Sequence, residues 1–139
     1  MPQRPAGDSA HALPDDHHAA MQRGFRWRVP ARMNIAELCS RRWARGDDAS
    51  KRIAVIAHQP GAGGQNHSYT ELQASADRLS HALVRLGVAR GDRVAIVMPQ
   101  RFETAVAYIA VLQLGAIAMP LSQLFGPEAL EYRLQDASV

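Results

Sequence analysis

The glycine-rich run 59–66, QPGAGGQN, has the composition of a loop that could cradle a phosphate. A phosphate loop needs G-x-x-x-x-G-K-[ST], because the backbone N–H groups surround the phosphates and the lysine reaches them. Counted from Gly61, the second glycine and the lysine places hold Asn66 and His67. A dinucleotide fingerprint opens a helix directly after its glycines, whereas His67–Tyr69 reads as extended chain. The run is therefore expected to be the long turn of a β-hairpin between the apolar strand Ile53–Ala57 and the segment 67–69. His11, His17 and His18 carry no carboxylate or cysteine at ligand spacing, so no metal site is expected. Cys39 is the single cysteine, which excludes an internal disulfide and a cysteine-based zinc site. Inside a helix and next to Leu38, it reads as a buried structural thiol. Arg101 and Glu103 follow the central strand, on the side where open α/β sheets bind ligands; their plainer role is the polar start of a helix.

The elements that would position these groups run from Tyr69 to Leu121. Thr70 and Gln73 spell a capping box, T-x-x-Q, and Glu71 places a negative charge in the first turn. Leu72, Ala76, Leu79, Leu83 and Leu86 recur at helical spacing, with Asp77, Arg78, His81 and Arg85 off that face. Gly87 supplies the left-handed position that ends many helices. The turn 89–92 (ARGD) leads into Val94–Met98, an unalternating apolar run of the kind found in strands covered on both faces. Phe102–Leu114 reads as a second helix stopped by Gly115, and Ala116–Leu121 as a second buried strand. Strand, helix and strand together make a βαβ unit. Earlier in the chain, Asn34 and Glu37 form an N-x-x-E cap pair before a helix carrying Ile35, Leu38, Arg42 and Trp43 and ending near Gly46. Beyond the βαβ unit, Pro127 and Glu128 suit the first turn of a last helix with Leu130 and Leu134 on its apolar face.

Composition sets further bounds. The chain has 139 residues, 47% of them apolar, enough for one globular domain. Residues 1–24 are rich in Pro, Ala, Asp and His without periodicity and read as a disordered leader. No secretory apolar core occurs there, so a cytoplasmic setting is expected. Ala105–Leu121 is nearly all apolar, yet a membrane span needs about 20 such residues, and Gly115 and Pro120 interrupt this one. The seven arginines between Arg23 and Arg45 face only Glu37 as a carboxylate among residues 23–45. With Phe25, Trp27 and Trp43 as the only interleaved aromatics, a solvated or domain-contacting basic face is expected, not a nucleic-acid arm.

Four segments carry a family resemblance: Tyr69-Thr70 with Leu72 opening a helix, Leu86-Gly87-Val88 with Gly91-Asp92-Arg93-Val94, Gly115-Ala116 to Pro120-Leu121, and Phe125-Gly126-Pro127-Glu128 with Tyr132-Arg133-Leu134. Together they closely resemble the N-terminal part of AMP-forming acyl-CoA synthetases, of the adenylate-forming superfamily. Trp27-Arg28-Val29-Pro30 with Asn34-Ile35-Ala36 looks like the acetyl- and medium-chain branch. The resemblance covers about Phe25 to Val139.

It implies an α/β fold class: the first part of the large N-terminal domain of an adenylate-forming enzyme, a β-hairpin plus βαβ units, truncated. The expected organisation is a leader over 1–24 and a partial AMP-binding domain over 25–139. The implied reaction is that of an acid–thiol ligase. A carboxylic acid attacks the α-phosphate of ATP to give an acyl-adenylate and pyrophosphate, and the thiol of CoA then displaces AMP, with Mg2+ assisting the first step. The family's Ser/Thr/Gly-rich phosphate loop with its lysine, its ribose-binding aspartate and its closing lysine do not occur in this chain, so no catalytic residue carries over. The resemblance implies one cofactor-binding candidate, Phe125 and Gly126, as a CoA-proximal loop; the bare reading of the same pair is a strand-to-helix turn. Alone, the chain is expected to be inactive, to bind ATP, CoA and Mg2+ at most loosely, and to expose apolar surface. The alternatives are a non-catalytic interaction module that docks on an intact synthetase, and an independent small nucleotide-binding domain, against which the failed glycine motifs count.

Overall fold

Two alanines decide how the helices of this chain come together. Ala76 and Ala110 are both 0% exposed, and their small side chains let the backbones of two helices approach closely. The computed structural model describes residues 17–59, 61 and 63–139. They fall into two units, within residues 1–31 and 32–139. In the first unit, α1 (His17–Gly24) is helical where a disordered leader is expected. Ala19, Ala20 and Met21 are strong helix formers, and the helix has no buried residue. Residues 1–16, including His11, lie outside the described residues.

In the second unit the elements run as a π-helical turn (Glu37–Arg41), α2 (Arg42–Ala44), β1 (Ile53–Gln59), β2 (Gly63–Ser68), α3 (Tyr69–Arg85), β3 (Arg93–Ile96), α4 (Phe102–Gln113), β4 (Ile117–Pro120) and α5 (Pro127–Asp136). β1 and β2 form an antiparallel hairpin with Gln59 opposite Gly63. The return strand therefore begins earlier than the expected 67–69, and Gly63–Asn66 joins the ladder. The ladder offers these residues backbone partners that their turn-like composition does not predict. β3 and β4 pair in parallel, with Arg93 opposite Ile117 and Ile96 opposite Pro120, so the β3–α4–β4 unit is present as expected.

Helix α3 starts one box earlier than the T-x-x-Q reading. Ser68, with φ −77° and ψ 165°, is the N-cap; its Oγ accepts from Glu71 N at 3.2 Å while Glu71 Oε2 accepts from Ser68 N at 2.7 Å. Thr70 is already inside the helix, because the extended conformation an N-cap needs is the last residue of β2. Gln73 is buried and turns to other work, described below. At the other end Val88 N reaches Leu83 O (3.0 Å) and Gly87 N reaches Val84 O (3.0 Å), a Schellman stop that requires Gly87 at φ 96°. Leu86 sits at this stop and is 81% exposed, not on the inner face with Leu72 and Ala76. Helix α4 ends the same way, with Ala116 N on Val111 O and Gly115 at φ 73°.

The core joins Ala36, Leu72, Ala76, Val106, Ile109 and Ala110, with Val55, Leu79, Leu83 and Phe102 packed at its margin. The helical segment before β1 turns Ala36 and Ser40 inward. A π turn at this place widens the helix, and Leu38 and Cys39 are exposed. The buried-thiol reading of Cys39 is thereby corrected: the inward positions, four apart, belong to small residues that fit against α3. Asn34 caps this segment through Oδ1, which accepts from Ala36 N (2.9 Å) and Glu37 N (3.3 Å). Glu37 does not reach back to complete a box but pairs with Arg45 at 2.9 Å. The sheet strands are less covered than expected: only Ile96 in β3, and no residue of β4, is buried. Among the described residues no helix is long and apolar enough to cross a membrane.

The cap predicts a pH dependence. The hydrogen bonds from Ser68, backbone first and hydroxyl second, hold the Glu71 carboxyl below its ordinary value of 4.5. A depressed carboxylate stabilises the fold above its unfolded value and loses that contribution as pH falls through the folded one. Ser68→Ala should lose about 1 kcal/mol at neutral pH, and the gap between Glu71→Gln and the parent should close as pH drops below 4.5. Helical circular dichroism during urea unfolding at several pH values measures both.

Candidate functional site

The carboxyl ends of β3 and β4 meet the loop that enters α5, and both sequence-level candidates lie in this region. At β3, the chain turns through Met98–Arg101 into α4. Arg101 is the extended N-cap of α4 (φ −151°, ψ 175°) and its carbonyl accepts from Thr104 N at 3.0 Å. The Thr104 hydroxyl donates to Pro99 O, tying the turn to the helix start. The Arg101 Nε lies 3.4 Å from Glu103 Oε2, and both side chains are more than half exposed. This pair is the polar start of a helix, as its plainer reading expects. The first turn of α4 is also held to the hairpin, where the His67 ring stacks on Phe102 with centroids 3.8 Å apart and 13° between planes.

Two open clefts flank this turn. One, of about 470 Å³, lies between β1 and α4 and is bordered by Ile56, His58, Arg101, Thr104 and Tyr108. The other, of about 510 Å³, lies across the strand ends and is bordered by Met98, Gln100, Pro120, Leu121 and Leu124. Arg101 and His58 border the first, while Glu103 borders a smaller cleft beside His67 and Phe102; the second offers backbone, Gln100 and Ser122. Among the described residues no group of three His, Cys, Asp or Glu side chains could hold a metal ion.

Phe125 and Gly126 occupy a short turn with its own internal bonds. Ser122 Oγ accepts from Leu124 N (3.1 Å), and Ser122 O accepts from Phe125 N (3.3 Å). Gly126 is the N-cap of α5 at φ −67° and ψ 166°, and its carbonyl accepts from Leu130 N at 3.0 Å. That backbone is open to any residue, and a Cβ at Gly126 would meet nothing within 4 Å. Neither φ nor packing explains the glycine. A shallow cleft of about 220 Å³ lies there, bordered by Gly126, Pro127, Glu128 and Ala129. The Phe125 ring is covered by Arg133, whose guanidinium carbon is 3.9 Å from the ring centroid while its Nη1 donates to Ala129 O at 2.7 Å. Leu124 beside them is 94% exposed.

The contact of Arg133 with the candidate turn is one that the sequence reading passed over. Arg133 stands eight positions after Phe125, and only the fold-back of α5 onto its own entry turn brings the two together. The stack predicts a coupling. In a double-mutant cycle of Phe125→Leu and Arg133→Met, unfolding by urea should show a coupling of about 0.5–1 kcal/mol, and additive effects would mean that the contact does not hold the turn.

Comparison with known proteins adds the context. The family described as AMP-binding enzyme matches residues 41–139. The acetyl-coenzyme A synthetase of Streptomyces coelicolor is 34% identical over 114 residues, which is 81% of this chain and 17% of that protein. An uncharacterised Pseudomonas aeruginosa protein, PA3568, is 35% identical over 128 residues, 91% of this chain and 19% of its own length. Among solved structures, an acyl-CoA synthetase of Brucella canis superposes with a TM-score of 0.72 and 24% identity, over 89% of this chain and 22% of that one, and so shares the fold. The chain spans under a fifth of the length of the curated relatives it matches, 19% and 17% in these two cases.

Proposed function

The chain belongs to the AMP-binding enzyme family, and on that premise we propose that it forms the amino-terminal part of an ATP-dependent, AMP-forming acid–thiol ligase. The observation that carries this reading is the family match over 41–139 together with 34% identity to an acetyl-coenzyme A synthetase of which it spans 17%. In the proposed reaction a carboxylate attacks the α-phosphate of ATP, releasing pyrophosphate, and the CoA thiol then displaces AMP from the acyl-adenylate. Residues 25–139 supply a body for that enzyme in a cytoplasmic setting, and the contacts to triphosphate, ribose and Mg2+ are assigned to the parts of such a ligase that this chain does not span. Within the chain, the Phe125–Gly126 turn is the proposed point of approach for CoA. The open space at Gly126 and the ring held under Arg133 support that role. A second reading, a non-catalytic module that docks on an intact synthetase, draws support from exposed apolar side chains such as Leu86 and Leu124.

A chimera separates the two. The matched 114-residue region of the Streptomyces coelicolor acetyl-coenzyme A synthetase is replaced by this chain. Carboxylate-dependent ATP–pyrophosphate exchange is then measured over a series of acids, with the unfused chain as reference. The ligase reading predicts exchange by the chimera and none by the chain alone. A folded, monodisperse chimera without exchange for any acid would favour the docking reading.

A further inference from the structure

The cleft between β1 and α4 gathers hydrogen-bonding side chains that the fold itself leaves unused. Half-buried Val55 and Ala105 give it an apolar floor, and its rim carries His58, Gln100, Arg101 and Tyr108. Among the described residues the His58 ring, the Gln100 amide and the Tyr108 hydroxyl have no hydrogen-bond partner. The Arg101 side chain has one partner, Glu103, reached through Nε at 3.4 Å. Its Nη groups are left to donate elsewhere. The turn that carries Gln100 and Arg101 is tied down, because the Thr104 hydroxyl donates to Pro99 O. These donors therefore start from a fixed backbone.

The charge around them is one-sided. No carboxylate borders this cleft. Glu103 borders the neighbouring one, of about 170 Å³, beside His67 and Phe102. Ala57 and Arg101 border both clefts, which sets the arginine at the His58 end of β1. Arginine stays charged at every ordinary pH and donates in the plane of its guanidinium. The imidazole N–H and the amide of Gln100 add donors from a strand and a turn. Donors that arrive from three backbone elements suit an acceptor with three oxygens, a phosphate group, better than a planar carboxylate. The volume, about 470 Å³, lies within the range of small-molecule pockets. It leaves room for an apolar body on the floor beside the Tyr108 ring.

We propose that this cleft binds a small phosphate monoester. Arg101 Nη, His58 and Gln100 hold the phosphate, and the organic body lies on Val55 and Ala105 against Tyr108. Glu103 weakens the site by competing for the guanidinium. The site consists of this chain's own side chains and does not depend on the ligase reading, so either can fail without the other.

The test titrates phenyl phosphate into the full 139-residue chain at fixed ionic strength, with inorganic phosphate and benzoate in parallel, and follows the amide chemical shifts by NMR. Phenyl phosphate should saturate, with shifts confined to residues 55–58 and 100–108. It should bind about fivefold tighter than inorganic phosphate, because the ring is buried, and about tenfold tighter than benzoate. Arg101→Gln should weaken binding by about tenfold or more, and Glu103→Gln should strengthen it. Arg85→Gln, at the far end of α3, should leave it unchanged. Unaltered shifts over the rest of α3 and α4 certify that each variant is folded; if Arg101→Gln does not fold, Glu103→Gln and a His58→Gln variant decide. Shifts that do not saturate, or that spread over the arginines of residues 23–45, overturn the proposal. So do equal affinity for benzoate or inorganic phosphate, and binding indifferent to both Arg101 and Glu103.

Discussion

The amide of Gln113 is the joint on which the helical layer depends. It ends α4, and its Oε1 accepts from Arg41 Nη2 (3.2 Å) and from Gln73 Nε2 (3.0 Å). Its Nε2 is shared among the Ser80 hydroxyl, Asp77 Oδ1 (3.1 Å) and Ala76 O (3.3 Å). One side chain thus ties α4 to the middle of α3 and to the π-helical turn before β1. Ser80 passes the connection back to α4 by donating to Ala110 O at 2.9 Å, and Asn34 donates to Leu112 O at 3.0 Å. A polar network at the edge of an apolar core is stabilising only when its members are satisfied. Most here are; Gln73 Oε1 and Ser40 Oγ have no partner among the described residues. Small buried side chains on both helices, Ala76 on α3 and Ala110 on α4, suit the close packing that lets Gln113 reach Ser80.

The sheet layer has no comparable joint. α4 covers one face of the β3–β4 pair, while Ile117 and Val97 remain exposed and the outward amides of β3 are unpaired. The same contrast organises the candidate site. The turn at Arg101 is anchored by Thr104 and by the His67–Phe102 stack, whereas the Phe125–Gly126 turn is held by its own local hydrogen bonds and by Arg133, from a helix with no buried residue.

Local signals carried much of this architecture. Gly87 and Gly115 mark both helix stops because only a residue at ease with positive φ closes a Schellman turn. The four-and-three spacing of Leu72, Ala76, Leu79 and Leu83 marks the inner face of α3, and Pro127 marks the start of α5. The misses share a cause. Ser68-x-x-Glu71 was legible as a cap, but its use over Thr70 depends on where β2 ends, which the pairing with β1 decides. The π turn that leaves Cys39 outside and Ser40 inside has no residue signature. Gln113 was visible as the lone strongly polar side chain of an apolar run, but its five partners lie on elements that only packing brings near. Phe125 and Gly126 enter as a candidate through family resemblance alone, and the contact of Arg133 with Phe125 becomes visible only through the fold-back of α5.

Removing the joint tests the account most directly. Gln113→Leu keeps the size and the helix propensity of the residue and leaves Ser80, Asp77 and Gln73 without their shared partner. Ser80 keeps Ala110 O, and Gln73 and Asp77 keep each other, so the loss is the net worth of a hydrogen bond, about 0.5–1.5 kcal/mol, which is roughly 2- to 13-fold in an opening equilibrium. Native-state amide exchange on the chain should therefore quicken by that factor across both α3 and α4, from Leu72 to Ser80 and from Val106 to Val111. If only the amides next to residue 113 respond, or if exchange slows, the helical layer is held by its apolar contacts alone and the central claim is wrong.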